Sequence, residues 1–247
     1  MSLKKSNILK KNKICLICCR GGSKTIKNKN IKKFAGKPLL TWILEEALKS
    51  KIFDKIILST DSKIIQKIGR KYDILIPGLR PKNLAKNNSD QFDTHNYIFK
   101  KLNINDDNSL VCILNNNPFI RSQLIKKSFK LFQKFNYKKI ISDYCKVDGD
   151  YIADKQFYIT KKKVRFINKR KFINLKLNRQ NLKNFYTYIF NIRWGLPSSL
   201  NNYKTFKKNL SINGYGIKIA KLENFDIDDM DDWKIAESVF KSLRNDK

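Results

Sequence analysis

Short apolar runs alternate along this chain with segments of helical periodicity. Ile14 to Cys19 (ICLICC) is short and wholly apolar, and reads as a buried parallel strand. Behind Pro38, residues Leu39, Leu40, Ile43, Leu44, Ala47 and Leu48 recur at helical spacing, which predicts a helix from Pro38 to Ser50. Lys55 to Ser59 predicts a second strand. Ser62 to Tyr72 predicts a second helix, with Ser62 as its N-cap. A short strand at Asp73 to Ile76, a helix at Asp90 to Leu102 and a strand at Leu110 to Leu114 follow. A helix at Arg121 to Phe135 and a strand at Lys138 to Ser142 continue the alternation, which implies βαβ units and a parallel sheet. The pattern then changes. Residues 144–190 mix Tyr, Phe, Ile and Lys in loose alternation around an Asp148-Gly149 turn signal, as in a β-rich insertion. A helix near Asn202 to Asn209, a strand at Gly214 to Leu222 and a helix at Asp232 to Leu243 complete the chain. The expected organisation is a basic tail at 1–12 and one α/β domain at 13–247, carrying an insertion at 144–190.

Composition narrows the picture. A chain of 247 residues with 41% hydrophobic content can build a sizeable core. Its 53 Lys+Arg against 21 Asp+Glu give a net charge of +32, which suits anionic partners. Abundant Lys, Asn and Ile also fit an A/T-rich coding bias. No apolar run reaches about 18 residues, so no membrane-spanning helix is expected. The apolar stretch after the basic N-terminus is too short for a signal segment, so a cytoplasmic location is expected. Five cysteines in no repeated framework suggest reduced thiols. Cys15 and Cys18 form a CxxC, but inside a strand and without a second ligand pair, so a packing role is expected. His95 falls in a helix and is read as structural. The basic, aromatic stretch from Tyr158 to Phe172 reads as a solvated hairpin face.

Candidate chemistry sits at the end of the first strand. Two of the nine glycines, Gly21 and Gly22, are adjacent there, among Arg20, Ser23, Lys24, Lys27 and Lys29. Residues 1–37 hold twelve Lys/Arg and no acid. Glycines let backbone N–H groups approach a ligand, and strand carboxyl ends are where open α/β sheets bind ligands, so a phosphate-rich ligand is expected. Neither GxxxxGK[ST] nor GxGxxG is present. The opposite charge lies at 223–232, with six acids and no base. Asp226 and Asp228 are two residues apart, so in an extended segment both carboxylates face one side, as a Mg²⁺ site requires. Asp229, Asp231 and Asp232 equally suit the N-terminus of the last helix.

These residues carry a resemblance. Cys19 to Asn30 (CRGGSKTIKNKN) is similar to the A-R-x-G-S-K-x-[IL]-x-x-K-N opening of the CMP-N-acetylneuraminate cytidylyltransferases, a family that includes synthetases for legionaminate- and pseudaminate-type sugars. Gly36 to Leu39, Ser59-Thr60-Asp61, Leu79-Arg80-Pro81, Arg179-Gln180 and Asp226-Ile227-Asp228 match further landmarks. The resemblance implies a Rossmann-like nucleotidyltransferase fold: a mainly parallel sheet flanked by helices, with a β-rich dimerisation insertion. It implies transfer of CMP from CTP to an acidic nine-carbon sugar, with pyrophosphate leaving. By resemblance Arg20, Lys29 and Asn30 are catalytic. Gly21, Gly22, Ser23, Lys24, Arg80 and Asp61 would bind the nucleotide, with Arg80 framing the cytosine and Asp61 near the nucleotide or metal. Arg179 and Gln180 would contact the sugar, and Asp226 and Asp228 would hold Mg²⁺. A homodimer joined near Tyr144 to Asn184 is implied. The lack of a long apolar run argues against a membrane partner, and the lack of a recognised nucleic-acid module disfavours nucleic acid despite the charge.

The chain also departs from the pattern. Leu114-Asn115-Asn116-Asn117-Pro118 stands where the family has Leu-x-Pro-Thr-Ser-Pro, and Ile189-Phe190 stands where it has Asn-Gly. Two other readings stay open at this point. One is a related nucleotidyltransferase with another sugar or nucleotide. The other is a non-catalytic basic protein of the same fold, binding nucleic acid or a partner subunit.

Overall fold

The structure is a computed structural model that describes residues 11–23, 25–86, 89–146, 157–160, 163–166 and 186–245. Its centre is a six-stranded sheet of order β10-β6-β9-β5-β1-β4. These strands are β1 (Asn12–Cys18), β4 (Lys55–Ser59), β5 (Ser109–Leu114), β6 (Ile140–Lys146), β9 (Tyr186–Gly195) and β10 (Gly214–Lys218). The apolar runs that predicted β1, β4 and β5 are buried, as parallel strands covered on both faces must be. β1 pairs in parallel with β4 and β5, and β10 with β6. β9 runs antiparallel between β5 and β6. Two small hairpins, β2 (Lys33–Phe34) with β3 (Lys37–Pro38) and β7 (Phe157–Thr160) with β8 (Lys163–Phe166), lie outside the sheet.

Side-chain alternation along the strands divides the core into two layers. Cys15, Ile17, Cys112, Leu114 and Trp194 face helices α1 (Leu39–Ser50) and α4 (Ser122–Lys134). Ile14, Leu16, Val111 and Ile113 face α3 (Gln91–Lys101), the short α5 (Pro197–Leu200) and α6 (Tyr203–Asn213). Trp194 is fully buried among Phe53, Phe129 and Phe132, and its indole N–H donates to Ser128 Oγ at 2.9 Å. A third cluster joins α7 (Met230–Asn245) to the β2–β3 hairpin: Phe34 meets Trp233 and Phe240 edge to face. This contact folds the C-terminal acidic segment back over the carboxyl end of the sheet.

The predicted helices form, each within a few residues of its expected bounds. Ser62 caps α2 (Lys63–Gly69), and Asp90 caps α3 by accepting from the Phe92 N–H at 2.9 Å. One predicted strand does not form. Residues 73–79 touch the sheet edge only at Ile57↔Leu75 and Thr60↔Leu79. Within the expected Asp73 to Ile76, Ile74 gives its N–H to the Tyr72 carbonyl at 2.9 Å, and Pro77 and Gly78 (φ +97°) turn the chain just beyond, so the contact stays a single bridge. The strand expected over Gly214 to Leu222 ends at Lys218. The segments entering and leaving the insertion, 144–146 and 186–190, belong to the central strands β6 and β9. Asp148-Gly149 lies outside the described residues. Among the described residues, no helix is long and apolar enough to cross a membrane.

Candidate functional site

The Gly-Gly loop leaves β1 at the carboxyl end of the sheet, and its shape is held from below. The Gly21 N–H donates to Asp61 Oδ1 at 2.9 Å, and Arg80 Nη2 lies 3.7 Å from the same oxygen. A Cβ at Gly21 would fall 2.8 Å from Ser62 Cβ, so only glycine fits this approach. Gly22 has open space around its Cα. Gly21 therefore contributes the turn, its N–H being already given to Asp61. Asp61 braces the loop and Arg80 from behind. Lys24 lies outside the described residues.

Farther on, Asn28 adopts a left-handed conformation (φ 58°) and starts a single 3₁₀ turn, Lys29–Ile31. That turn presents Lys29 and Asn30 to the loop. Asn30 donates to the Arg20 carbonyl at 2.7 Å and accepts from Asn116 Nδ2 at 2.7 Å. Lys29 Nζ donates to the Ile227 carbonyl, between the two aspartates of the acidic segment. The asparagine run after β5 ties the remaining pieces together. Asn117 Nδ2 donates to the Phe225 carbonyl at 3.0 Å, and the Asn115 N–H to the Asn191 carbonyl at 2.9 Å. The run that departs from the family pattern is thus a strut joining the loop, the acidic segment and β9.

The structure separates four of the six acids by role. Asp229 Oδ1 accepts from the N–H groups of Asp231 and Asp232, and Asp232 Oδ2 accepts from those of Asp228 and Asp229. These two residues cap α7. Asp226 and Asp228 flank buried Ile227 and are both exposed, as an extended segment requires. Both line the main cavity.

That cavity has a volume of about 720 Å³. Arg20, Ser23, Thr25, Lys29 and Asn30 form its basic side, Asp226 and Asp228 its acidic side, and Tyr188, Ile189 and Asn191 of β9 the far wall. A smaller cavity of about 260 Å³ shares Cys18, Arg20, Asn30 and Asn115 with it and continues past Arg80, Gln91 and Thr94. The structure therefore gathers Arg20, Ser23, Lys29, Asn30, Asp226 and Asp228 on one cavity and Arg80 on its neighbour. Arg179 and Gln180 lie outside the described residues.

Several ionisable groups are buried beneath these cavities. Asp143 of β6 faces a bulge in β9, where the ladder shifts register and Phe190 takes φ 64°. The Ile192 N–H donates to Asp143 Oδ1 at 3.0 Å. Burial pushes the Asp143 carboxyl up to about 6, opposed by nearby N–H groups of Ile192, Asp143 and Asn191 and by Arg193. Burial lowers Arg193 to about 10, so it stays a cation at neutral pH. His95 Nδ1 pairs with the Leu200 carbonyl at 3.2 Å; burial, then Arg193, lowers His95 to about 3, and it packs as a neutral ring beside Phe92. Burial raises the Cys18 thiol to about 11, and Cys15, Cys19 and Cys112 are raised as well. The CxxC is therefore an inert part of β1. Among the described residues, no cluster of three or more His, Cys, Asp or Glu could hold a metal.

Around these cavities Arg193 carries no signal in the sequence as a site residue, and the Asn115-Asn116-Asn117 run stands out only as a departure from the family pattern. Asparagine runs look like loops, and a lone arginine in a strand looks like a solvated edge.

The sequence model described as Cytidylyltransferase matches residues 14–217. The pseudaminic acid cytidylyltransferase of Campylobacter jejuni is 30% identical over 156 residues, 59% of this chain and 62% of that protein. The N-acylneuraminate cytidylyltransferase of Escherichia coli is 35% identical over 133 residues, 52% of this chain and 30% of that protein. The CMP-N,N'-diacetyllegionaminic acid synthase of Legionella pneumophila is 30% identical over 132 residues, 52% of this chain and 56% of that protein. The matched region thus spans less than two-thirds of these relatives. Among solved structures, a CMP:2-keto-3-deoxy-manno-octonic acid synthetase complexed with CTP superposes with a TM-score of 0.68 at 13% identity, covering 96% of this chain and 100% of that one. The 4-diphosphocytidyl-2C-methyl-D-erythritol synthase of Anaerococcus prevotii gives 0.61 at 17% identity, covering 96% and 99%. These two likenesses concern the fold alone. The loop after β1, the sheet that carries it and the match over residues 14–217 agree: the chain belongs to the cytidylyltransferase family.

Proposed function

We propose that the chain transfers the cytidylyl group of CTP to the anomeric hydroxyl of an acidic nine-carbon sugar, giving a CMP-sugar and pyrophosphate. The observation that carries this reading is the meeting of a basic Gly-Gly loop and an aspartate pair across one 720 Å³ cavity. Small-ligand sites have volumes of roughly 300–1,000 Å³. The sugar class rests on the relatives, whose names concern pseudaminic, acylneuraminic and legionaminic acids.

In this reading the sugar hydroxyl oxygen attacks the α-phosphorus of CTP and gives up its proton. The bond from that phosphorus to the β-phosphate oxygen breaks, and pyrophosphate leaves with the electron pair. The protein's part is to position reactants and offset charge. Arg20, Ser23 and Lys24 hold phosphate oxygens beside the open backbone at Gly22. Lys29 and Asn30 stabilise charge on the α-phosphate. Asn30 suits this role because bonds to Arg20 and Asn116 fix its amide before substrate arrives. Arg80 frames the nucleobase in the smaller cavity, and Arg179 and Gln180 contact the sugar.

Asp226 and Asp228 fit a magnesium ion, which takes hard oxygens from one or two carboxylates together with substrate phosphates. When bound, the ion offsets charge on the leaving pyrophosphate. We further propose a homodimer joined through residues 144–184, which light scattering tests by mass. The activity is tested by pyrophosphate release with CTP, Mg²⁺ and a panel of acidic nine-carbon sugars. Lys29→Ala is expected to lower turnover by at least about 100-fold without changing Tm. Near-normal turnover in that variant would remove Lys29 from the site.

A further inference from the structure

The smaller cavity has an unusual support. Arg193 is 2% exposed and lies in the middle of the sheet, opposite Ile113 of β5 and Ser142 of β6. Its Nη2 donates to Gln91 Oε1 at 2.9 Å and to Asn115 Oδ1 at 3.2 Å. Its guanidinium carbon lies 5.9 Å from the Phe92 ring centre, while its Nε has no hydrogen-bond partner among the described residues. Burying a guanidinium is costly unless its bonds do something that an apolar residue could not. Both of its acceptors are side chains that line the smaller cavity.

A guanidinium donates only, so it can meet an amide only at the oxygen. With each oxygen turned to the guanidinium, Gln91 and Asn115 direct their NH₂ groups away from Arg193, toward a ligand. Arg80, on the same cavity, is a donor too. The cavity is thereby biased toward a partner rich in acceptors. Cytosine presents O2 and N3 as adjacent acceptors on its pairing edge, whereas uracil places an N–H at position 3.

We propose that Arg193 is a positioning residue that sets nucleobase choice, fixing the amide sense of Gln91 and Asn115 so that the smaller cavity prefers cytosine to uracil. This rests on the cytidylyltransferase reading. The Arg193 side chain acts through the two amides and does not itself reach the base.

The test compares kcat/KM for CTP and UTP, with the same sugar, in the wild type, Arg193→Met, Arg193→Lys and Gln91→Leu. Arg193→Met is expected to lower the CTP-to-UTP ratio by about tenfold or more, the worth of one misplaced hydrogen bond, through KM for CTP rather than kcat. Arg193→Lys, a donor of different shape, is expected to recover only part of that ratio. Gln91→Leu alters an exposed position, keeps the fold, and is expected to lower the ratio similarly. A lower Tm in Arg193→Met with an unchanged ratio, or an unchanged ratio in Gln91→Leu, would overturn the proposal and leave the enzyme reading intact. Titration calorimetry of the wild type with CTP separates the two: absence of binding would overturn the enzyme reading and this proposal with it.

Discussion

Replacing Asp143 with Asn should change how stability depends on pH. The carboxyl lies fully buried against the β9 bulge, and its ordinary value of 3.8 is raised to about 6. Loss of water is the main cause. The Ile192 N–H and the nearby Arg193 charge oppose it without cancelling it. Because the value rises on folding, the folded chain holds this proton more tightly than the unfolded one. Asp143 therefore favours the fold most below about pH 4, and that contribution is lost as pH rises through about 6. A shift of about two units corresponds to about 3 kcal/mol, at 1.36 kcal/mol per unit. Asn cannot titrate. Denaturant unfolding of both proteins between pH 4 and 7.5 should show Asp143→Asn gaining roughly 2–3 kcal/mol on the wild type across that span. The amide can present its NH₂ to the bulge, so the variant can start from a deficit; the slope is the quantity predicted. A difference that stays flat with pH would refute the reasoning. So would one that slopes the other way.

Other outcomes follow from the same contacts. His95 stays neutral because burial lowers it from 6.5 to about 3, so its support is present above pH 6.5 and lost as pH falls toward 3. His95→Gln should flatten the acid limb of the stability profile relative to wild type in that window, as read by denaturant unfolding. Gly21→Ala should cost about 1–3 kcal/mol, because the new methyl carbon meets Ser62 Cβ at 2.8 Å. Its Tm measures this directly. Asp226→Asn and Asp228→Asn should each raise the magnesium concentration for half-maximal rate by about tenfold or more, with Tm unchanged. Asp229→Ala should instead lower Tm by removing a helix cap worth about 1 kcal/mol, and leave the magnesium requirement alone.

Much of the fold was legible because parallel strands covered by helices are apolar on both faces. ICLICC, KIILS and LVCIL announce themselves by composition. The helices carry one-sided apolar spacing, and Ser62 and Asp90 mark two of their starts. β9 was harder. Its sequence holds Asn191 and Arg193, residues that suggest a wet edge, yet the strand lies in the centre of the sheet. The Ile192 N–H and Arg193 Nη2 are met by Asp143, Gln91 and Asn115, residues 49 to 102 positions away, which no local pattern reveals. The acidic segment was legible in part. Spacing put Asp226 and Asp228 on one side, while the capping bonds that set Asp229 and Asp232 apart appear only in three dimensions. The asparagine run read as lost hydroxyls, whereas its amides bridge the loop, the acidic segment and β9. The excess of positive charge also divides. Arg20 and Lys29 face the cavity, while residues 137–183 hold fourteen cations against four acids, and of those cations Arg179 alone has a place in the proposed chemistry.

Phosphorus NMR of a reaction containing CTP, Mg²⁺ and an acidic nine-carbon sugar tests the central claim most directly, because it follows the atom attacked. The account predicts that the three CTP signals are replaced by a phosphodiester signal of the CMP-sugar and the single signal of pyrophosphate, in equal molar amounts. Formation of CDP and inorganic phosphate, or a CTP spectrum unchanged with every sugar of the class, would contradict it.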